Sequence, residues 1–540
     1  MQGAGTRIDC GIIKMRRLVL GMGAALCFFV VGSHESVRAL ERLKVDFNYV
    51  KERARQLSES PHGQAGTDIP EFMRNLDYHA YREIRAENAK GLWADEDLPF
   101  RVTFSPPGYI YSYAVTIHEF TATHVQQVPF APHFFDFGNQ QELAARIPPS
   151  MGYAGFHVFY PLNRINETEE VAVFLGSNYF RVVGRGTRFG ISARGLAIDT
   201  TAGEEEFPVF REFWLGKPQR EAENLIIYAL LDGPSVTGAY RFKIIPGHVT
   251  EVDVQMTLYL RKAVRQIGIA PFSSMFYFNE NSLHKPPDYR PRVHDSDGLL
   301  IRRPDGAYVW QPLINPSDRL VSIFRFDQPV AFGLSQRNRK FANYQDIDQS
   351  YQRRPSAWVE PGGDWGPGSV VLYTFGVDSE TDDNVVAFWQ PREPLPVGTP
   401  VSFAYTLMYS LEQRASSGYV TATRVGGPVL RNDLHQYIVD FDGGELRRLE
   451  AVDHLQAVVR ASNGIRLEKP IVVKNSFQGG WRLITQFSIV DESLQKGRLT
   501  AYLTHKGQRM TETWSYVWTK ERQFPPIPQQ QIYGTKPTGE

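Results

Sequence analysis

The sequence predicts an all-β fold in two units, a large β-sandwich followed by a small one. Three observations carry this. Apolar and polar residues alternate with period two along several runs, the pattern of half-buried strands. Gly and Pro interrupt these runs at short intervals, as in a sandwich or barrel. The chain has 540 residues, more than one ordinary core takes, so two units are expected.

The elements follow in chain order. Phe47, Val50, Ala54 and Leu57 share one face of a short helix, and further helical pieces are expected near Ile69–Arg74 and Tyr78–Ala86. Strands begin near Phe100. Leu225 to Leu231 is almost continuously apolar, as a strand covered on both faces is. Tyr240 to Ile244 alternates after the turn-like Asp232-Gly233-Pro234. Val252, Val254, Met256, Leu258 and Leu260 mark one face of a further strand. The proline-rich Pro391–Pro400 turns the chain into a strand at Val401–Tyr409, which closes the large unit, residues 40–409. Residues 410–432 are polar, Gly-rich and aperiodic, and read as a linker. Residues 433–524 then hold short strands at Tyr437–Phe441, Ala457–Arg460, Ile471–Lys474, Trp481–Ser488, Leu499–Thr504 and Thr513–Trp518, a count and length that suit an immunoglobulin-like sandwich. The Pro- and Gln-rich residues 525–540 read as a flexible tail.

The first 39 residues have the parts of a secretory signal. Arg16-Arg17 precede the apolar run Leu18–Gly32, and Val37-Arg38-Ala39 ends in a small residue. Cleavage is expected after Ala39, and Met15 is an alternative start. The arginine pair suits both the twin-arginine and the general secretory routes. Leu26 before Cys27 argues against a lipidated cysteine. Cys10 and Cys27 are the two cysteines of the chain, so a mature protein cleaved here has none and uses no disulfide.

Composition excludes some functions. With 59 basic and 59 acidic residues the chain has no basic excess to suggest a nucleic-acid partner. Aromatic residues make up 13%, a share that suits a sugar site but also ordinary β-structure. No P-loop or His-Glu-x-x-His is present, and no metal or cofactor is expected. Gly184 and Gly186 follow a strand-like segment but lead towards another strand. A dinucleotide site needs a helix N-terminus there.

Two acidic clusters stand out: His294-Asp295-Ser296-Asp297 before Leu299-Leu300-Ile301, and Glu380-Thr381-Asp382-Asp383-Asn384 before Val385–Trp389. Loops of this kind at strand ends can hold the two carboxyl groups of a glycosidase, one protonated and one ionised. The same residue types also make turns by bonding their own backbone.

These clusters fall within a wider resemblance. Gly155–Pro161, Phe174–Arg181, Gly190–Thr200, Tyr228–Asp232, Leu260-Arg261, Gly268–Pro271, His294–Ser296, Arg354–Val359, Asp383–Val386 and Glu512–Tyr516 resemble, in order, the osmoregulated periplasmic glucan biosynthesis proteins G and D of Gram-negative bacteria. Ser356-Ala357-Trp358 and Thr513–Tyr516 look more like the G branch. The resemblance implies a mutarotase-like sandwich joined to an immunoglobulin-like one, a periplasmic location, and a β-1,2-linked glucan as ligand. It further implies anomer-inverting β-1,2-glucanase activity, with Asp383 as general acid, Asp295 as general base and Tyr351 on a proton relay. His294, Asp297, Arg354, Trp358, Glu380 and Trp389 are expected to line the sugar site, although Trp358 and Trp389 read equally well as core residues. An inner-membrane glucan synthase is a further expected partner, with no membrane insertion after signal removal. Asp382 stands where relatives often carry a neutral side chain. A carboxylate there raises the Asp383 pKa if the two approach closely. The competing expectation is a binding protein that presents the nascent glucan to other enzymes without cleaving it.

Overall fold

The computed structural model describes residues 44–63, 69–282, 285–412, 414, 418–426 and 434–520. The expected signal segment and the tail lie outside the described residues. The described chain is predominantly β, with two large sheets packed face to face and a third, five-stranded sheet near the C-terminus.

The first sheet has ten strands. Its order runs Arg101–Ser105, Gly155–Arg164, Glu167–Leu175, Tyr179–Val182, Ser192–Arg194, Ile267–Ser274, Val385–Pro391, Gly368–Thr374 and Leu320–Phe326, with Ala197–Ile198 pairing to the side. Register explains its faces. Phe104 pairs with Phe156, Phe156 with Phe174, Phe174 with Phe180, and Phe180 with Ala193, so one row of rings points to one side. Neighbouring rings in this row stack at 5.1 and 5.2 Å. Phe213 and Phe242 of the second sheet meet them edge-on at 5.0–5.3 Å. That aromatic layer is the heart of the main core, and each fully buried ring contributes about 1.5–3 kcal/mol. Period two then sends the alternate residues, among them Tyr179, Arg181, Ser192 and Arg194, to the opposite face.

The second sheet has fifteen strands. Leu225–Asp232, Val236–Ile245, Thr250–Leu260 and Val401–Ser410 are consecutive in it. The apolar run at Leu225 is covered on both sides, as its sequence implies. Ile227 and Leu231 face the main core, while Tyr228 and Leu230 pack under the helix Phe47–Ser58 through Val50 and Ala54. Asp46 caps that helix by accepting from the Tyr49 N–H at 3.0 Å. Residues 392–400 carry the chain from the first sheet to the second.

Several boundaries differ from expectation. Pro70 delays the second helix to Glu71–Arg74. The third ends at Glu83, and Arg85–Ala86 pairs as a short strand with Phe135–Asp136. Tyr419–Gly426, inside the stretch read as linker, is a strand paired with His435–Asp442. Its alternation is short and lies among polar residues, so only its partner strand makes it evident. The strand Thr513–Thr519 pairs in parallel with Tyr308–Pro312, which makes the second sheet continuous into the C-terminal strands. No helix follows Gly186.

Candidate functional site

The outer face of the first sheet carries the polar residues that alternate with the aromatic row. Tyr179 lies opposite Arg194, and Arg181 opposite Ser192, which in turn faces Ser273. The Arg181 side chain is exposed and its Nε donates to Ser192 Oγ at 2.8 Å. Arg194 is 1% exposed, donates to Glu205 Oε1 at 2.6 Å and stands 5.0 Å from the centre of the Tyr179 ring. A guanidinium is buried at this depth only when paired.

Both acidic clusters hang on one short segment at the edge of this face, residues 274–276. The Asn384 N–H donates to Ser274 O at 3.1 Å, and its side chain accepts from the Phe276 N–H at 2.8 Å. The same amide donates to Phe276 O and to Phe375 O, both at 3.0 Å. From the other side, the Asp295 N–H donates to Met275 O at 2.8 Å, and Ser296 Oγ lies 2.7 Å from Ser274 Oγ. The backbones of Asp383 and Asp295 are therefore fixed on either side of three residues. Fully buried Asn384 satisfies polar groups of Ser274, Phe276 and Phe375 there, which makes the arrangement costly to disturb.

The electrostatics of the two acids differ. Asp383 keeps partial solvent access but is closely surrounded. Desolvation pushes its pKa up to about 6, Arg181 and Arg194 oppose this, and the charges of Asp295 and Asp382 add to it. Asp382 is the smallest of these contributions, so its departure from the resembling proteins matters little to Asp383. Asp295 is also raised by burial, against Arg354 and Arg181. Its Oδ1 sits 3.1 Å from Arg354 Nε. Gly190 makes room for this contact, since a Cβ there would meet Arg354 Cδ at 2.9 Å.

Other expected site residues surround Asp295. Tyr351 is 2% exposed and begins a single turn of 3₁₀ helix. Arg354 lies 5.2 Å from its ring centre, and burial, Glu380 and Asp295 raise its phenol pKa. Glu380 pairs with Arg290 at 2.6 Å, and Arg290 also gathers Asp288 and Asp346. His294 is fully buried between Phe276 and Tyr344, and burial lowers its pKa to about 4, so the ring is neutral. Its Nε2 is 3.4 Å from Asp297 Oδ1. Asp297 Oδ2 accepts the N–H of Arg337 at 2.6 Å and of Asn338 at 2.9 Å. Burial opposes its ionisation, but Arg292 and those N–H groups hold its pKa low. His294 and Asp297 thus brace the loop from behind.

The two tryptophans are placed elsewhere. Trp389 is 0% exposed in the main core, edge-on to Trp365 at 6.3 Å. Trp358 is 4% exposed in the C-terminal core, its Nε1 donating to Glu360 at 2.7 Å. Neither presents a face to a dissolved sugar. Conversely, Tyr179, Arg181 and Arg194 converge on Asp383 without having been singled out as site residues. Their signal is the charged residue at an outward position of an otherwise apolar strand. Among the described residues no His, Cys, Asp and Glu group is arranged to hold a metal, and no helix is long and apolar enough to cross a membrane.

Comparison with known proteins bears on this geometry. Residues 45–518 match the family model described as "Periplasmic glucan biosynthesis protein, MdoG". The chain is 40% identical over 498 residues to "Glucans biosynthesis protein G" of Ralstonia nicotianae, covering 90% of this chain and 98% of that one. It is 38% identical over 514 residues to the protein of the same name from Sodalis glossinidius, covering 91% and 98%. Among solved structures, the N-terminal domain of the Streptococcus gordonii adhesin Sgo0707 aligns at 9% identity with a TM-score of 0.14, over 61% of this chain and 90% of that one. The family model and the two full-length relatives agree: this chain belongs to the periplasmic glucan biosynthesis protein family.

Proposed function

We propose that the protein is an inverting β-1,2-glucanase that acts on the glucan backbone in the periplasm. The observation that carries this reading is a pair of carboxyl groups of different character held on one segment. Asp383, with its pKa raised to about 6, keeps a proton to give to the leaving oxygen. Asp295, whose charged form Arg354 and Arg181 favour against burial, takes a proton from the attacking water, through the Tyr351 hydroxyl and intervening water. Arg181 and Arg354 hold both groups in register and supply hydrogen bonds to sugar hydroxyls. The family's name and the charged, apolar and small-residue pattern of residues 1–39 support export to the periplasm.

One observation favours a second reading. The Arg354 guanidinium pairs with the Asp295 carboxyl and offsets its charge. A site so paired can hold a glucan and present it to a synthase or substituting enzyme without cleaving it.

Release of reducing ends from linear β-1,2-glucan, followed against pH, separates the two. Activity should rise with pH as Asp295 ionises and fall as pH passes about 6, where Asp383 loses its proton. Binding without release at any pH would leave the presenting role. Tyr351→Phe should lower turnover at least about tenfold with an unchanged melting temperature. A large fall in melting temperature would assign the residue to the fold instead.

A further inference from the structure

The polar face does not stop at Arg181. Register carries it across Val173 to His157 and on to the strand Arg101–Ser105. Three strand-to-strand steps of about 4.8 Å make this extension about 14 Å wide. It holds a pre-ordered polar group. His157 Nδ1 lies 2.5 Å from Glu170 Oε1, and its Nε2 lies 2.8 Å from Ser105 Oγ. Since a carboxylate only accepts, Nδ1 donates to Glu170, and in the neutral tautomer this selects, Nε2 accepts a hydrogen bond from the Ser105 hydroxyl. Side-chain exposure is 23% for His157 and 31% for Glu170, so both reach solvent. The spacing is that of a nucleophile relay. Yet Pro106 follows Ser105 and has no N–H to stabilise an oxyanion there, which removes the support a serine nucleophile needs.

Beside this group the chain presents tyrosines. Tyr109, Ile110 and Tyr113 are exposed in the loop after Ser105, and Tyr78 is 48% exposed on the neighbouring helix. Ring centres of Tyr78 and Tyr109 are 6.0 Å apart, and Tyr81 stands 5.9 Å from Tyr109 and 5.7 Å from Tyr111. The platform is anchored: Tyr81 OH donates to Pro106 O at 2.8 Å. It also adjoins the candidate site. A Cβ at Gly176 would stand 4.0 Å from the Tyr111 ring, and Gly176 is three residues, at most about 10 Å, from Tyr179.

Exposed rings next to ordered hydroxyl, imidazole and carboxylate groups are the mixture that takes up sugars: flat apolar faces for pyranose C–H groups and polar atoms for hydroxyls. We propose that the tyrosine platform and the Ser105–His157–Glu170 group form an outer set of subsites that bind the same uncharged β-linked glucan chain several residues away from Asp383. The idea rests on the proposed glucan reading and deepens it. Continuity of one sheet face with the acid pair commits it to glucan.

The test uses the full-length Asp383→Asn protein, so that bound sugar is not consumed, and titrates it calorimetrically with linear β-1,2-glucotetraose and with a much longer linear β-1,2-glucan. The longer ligand should bind more tightly. Adding Tyr78→Ala with Tyr109→Ala, or His157→Gln separately, should weaken the longer ligand about tenfold and leave the tetraose unchanged. Equal affinity for both lengths, or unchanged affinity for the long glucan in both variants, overturns the outer subsites while leaving the cleft intact. Failure of the Asp383→Asn protein to bind either sugar overturns the glucan reading and this proposal together.

Discussion

Asp383→Asn should lower turnover on β-1,2-glucan by about 10²–10⁴-fold while glucan binding persists. The substitution keeps shape and removes the proton. Its effect on stability should go the other way. The folded-state pKa of Asp383, about 6, lies above the ordinary 3.8. Its contribution to stability is therefore fully present below pH 3.8 and is lost as pH rises through about 6. At pH 7 the native chain holds an ionised carboxylate where burial disfavours one, at a cost of up to about 3 kcal/mol. Asparagine removes that cost, so the variant should melt at the same temperature or higher. An inactive variant that also melts lower would mean a structural lesion and would not support acid catalysis. The Arg181 and Arg194 charges set a limit here, since they already offset part of the desolvation.

The second large effect is expected far from the acids. Glu512 is 0% exposed and takes both Nη1 and Nη2 of Arg337, at 2.6 and 2.9 Å. It also accepts the Val420 N–H at 2.8 Å. The same guanidinium stacks 3.5 Å over Trp310, and Arg337 donates its backbone N–H to Asp297. One residue thus ties the C-terminal strands to the loop that carries Asp295. Glu512→Ala leaves a buried arginine without its partner, and a loss of about 3–5 kcal/mol in unfolding free energy is expected. Denaturant unfolding at neutral pH measures it. A loss below about 1 kcal/mol would show that Arg337 finds water or Tyr419 as a substitute and that the bridge is not what joins these parts.

The contrast between Trp389 and Arg181 shows what the sequence could reveal. Periodicity reports which residues share a face of one strand. It recovered the strands at Leu225, Val252 and Val401 because each has a long apolar stripe to bury. It does not report which strands become neighbours. Trp389 follows the acidic cluster closely in sequence, yet as the fifth residue of the strand Val385–Pro391 it lies in the main core. Arg181 and Arg194 lie far from Asp383 in sequence, and only the order Tyr179–Val182, Ser192–Arg194, Ile267–Ser274, Val385–Pro391 gathers them. The same holds for Tyr419–Gly426, whose strand depends on pairing with His435–Asp442. Asp295, Asp383, Tyr351 and Arg354 were legible through resemblance. Their residue types alone fit turns as well as catalysis.

The most direct test of the account is the anomeric form of the first product. Linear β-1,2-glucan is mixed with enzyme just below pH 6, where Asp383 still holds its proton, and proton NMR is recorded before mutarotation scrambles the new reducing end. The account predicts that the α-anomer appears first, because water attacks opposite the leaving group that Asp383 protonates. Initial release of the β-anomer, or no cleavage by protein that demonstrably binds the glucan, would contradict it.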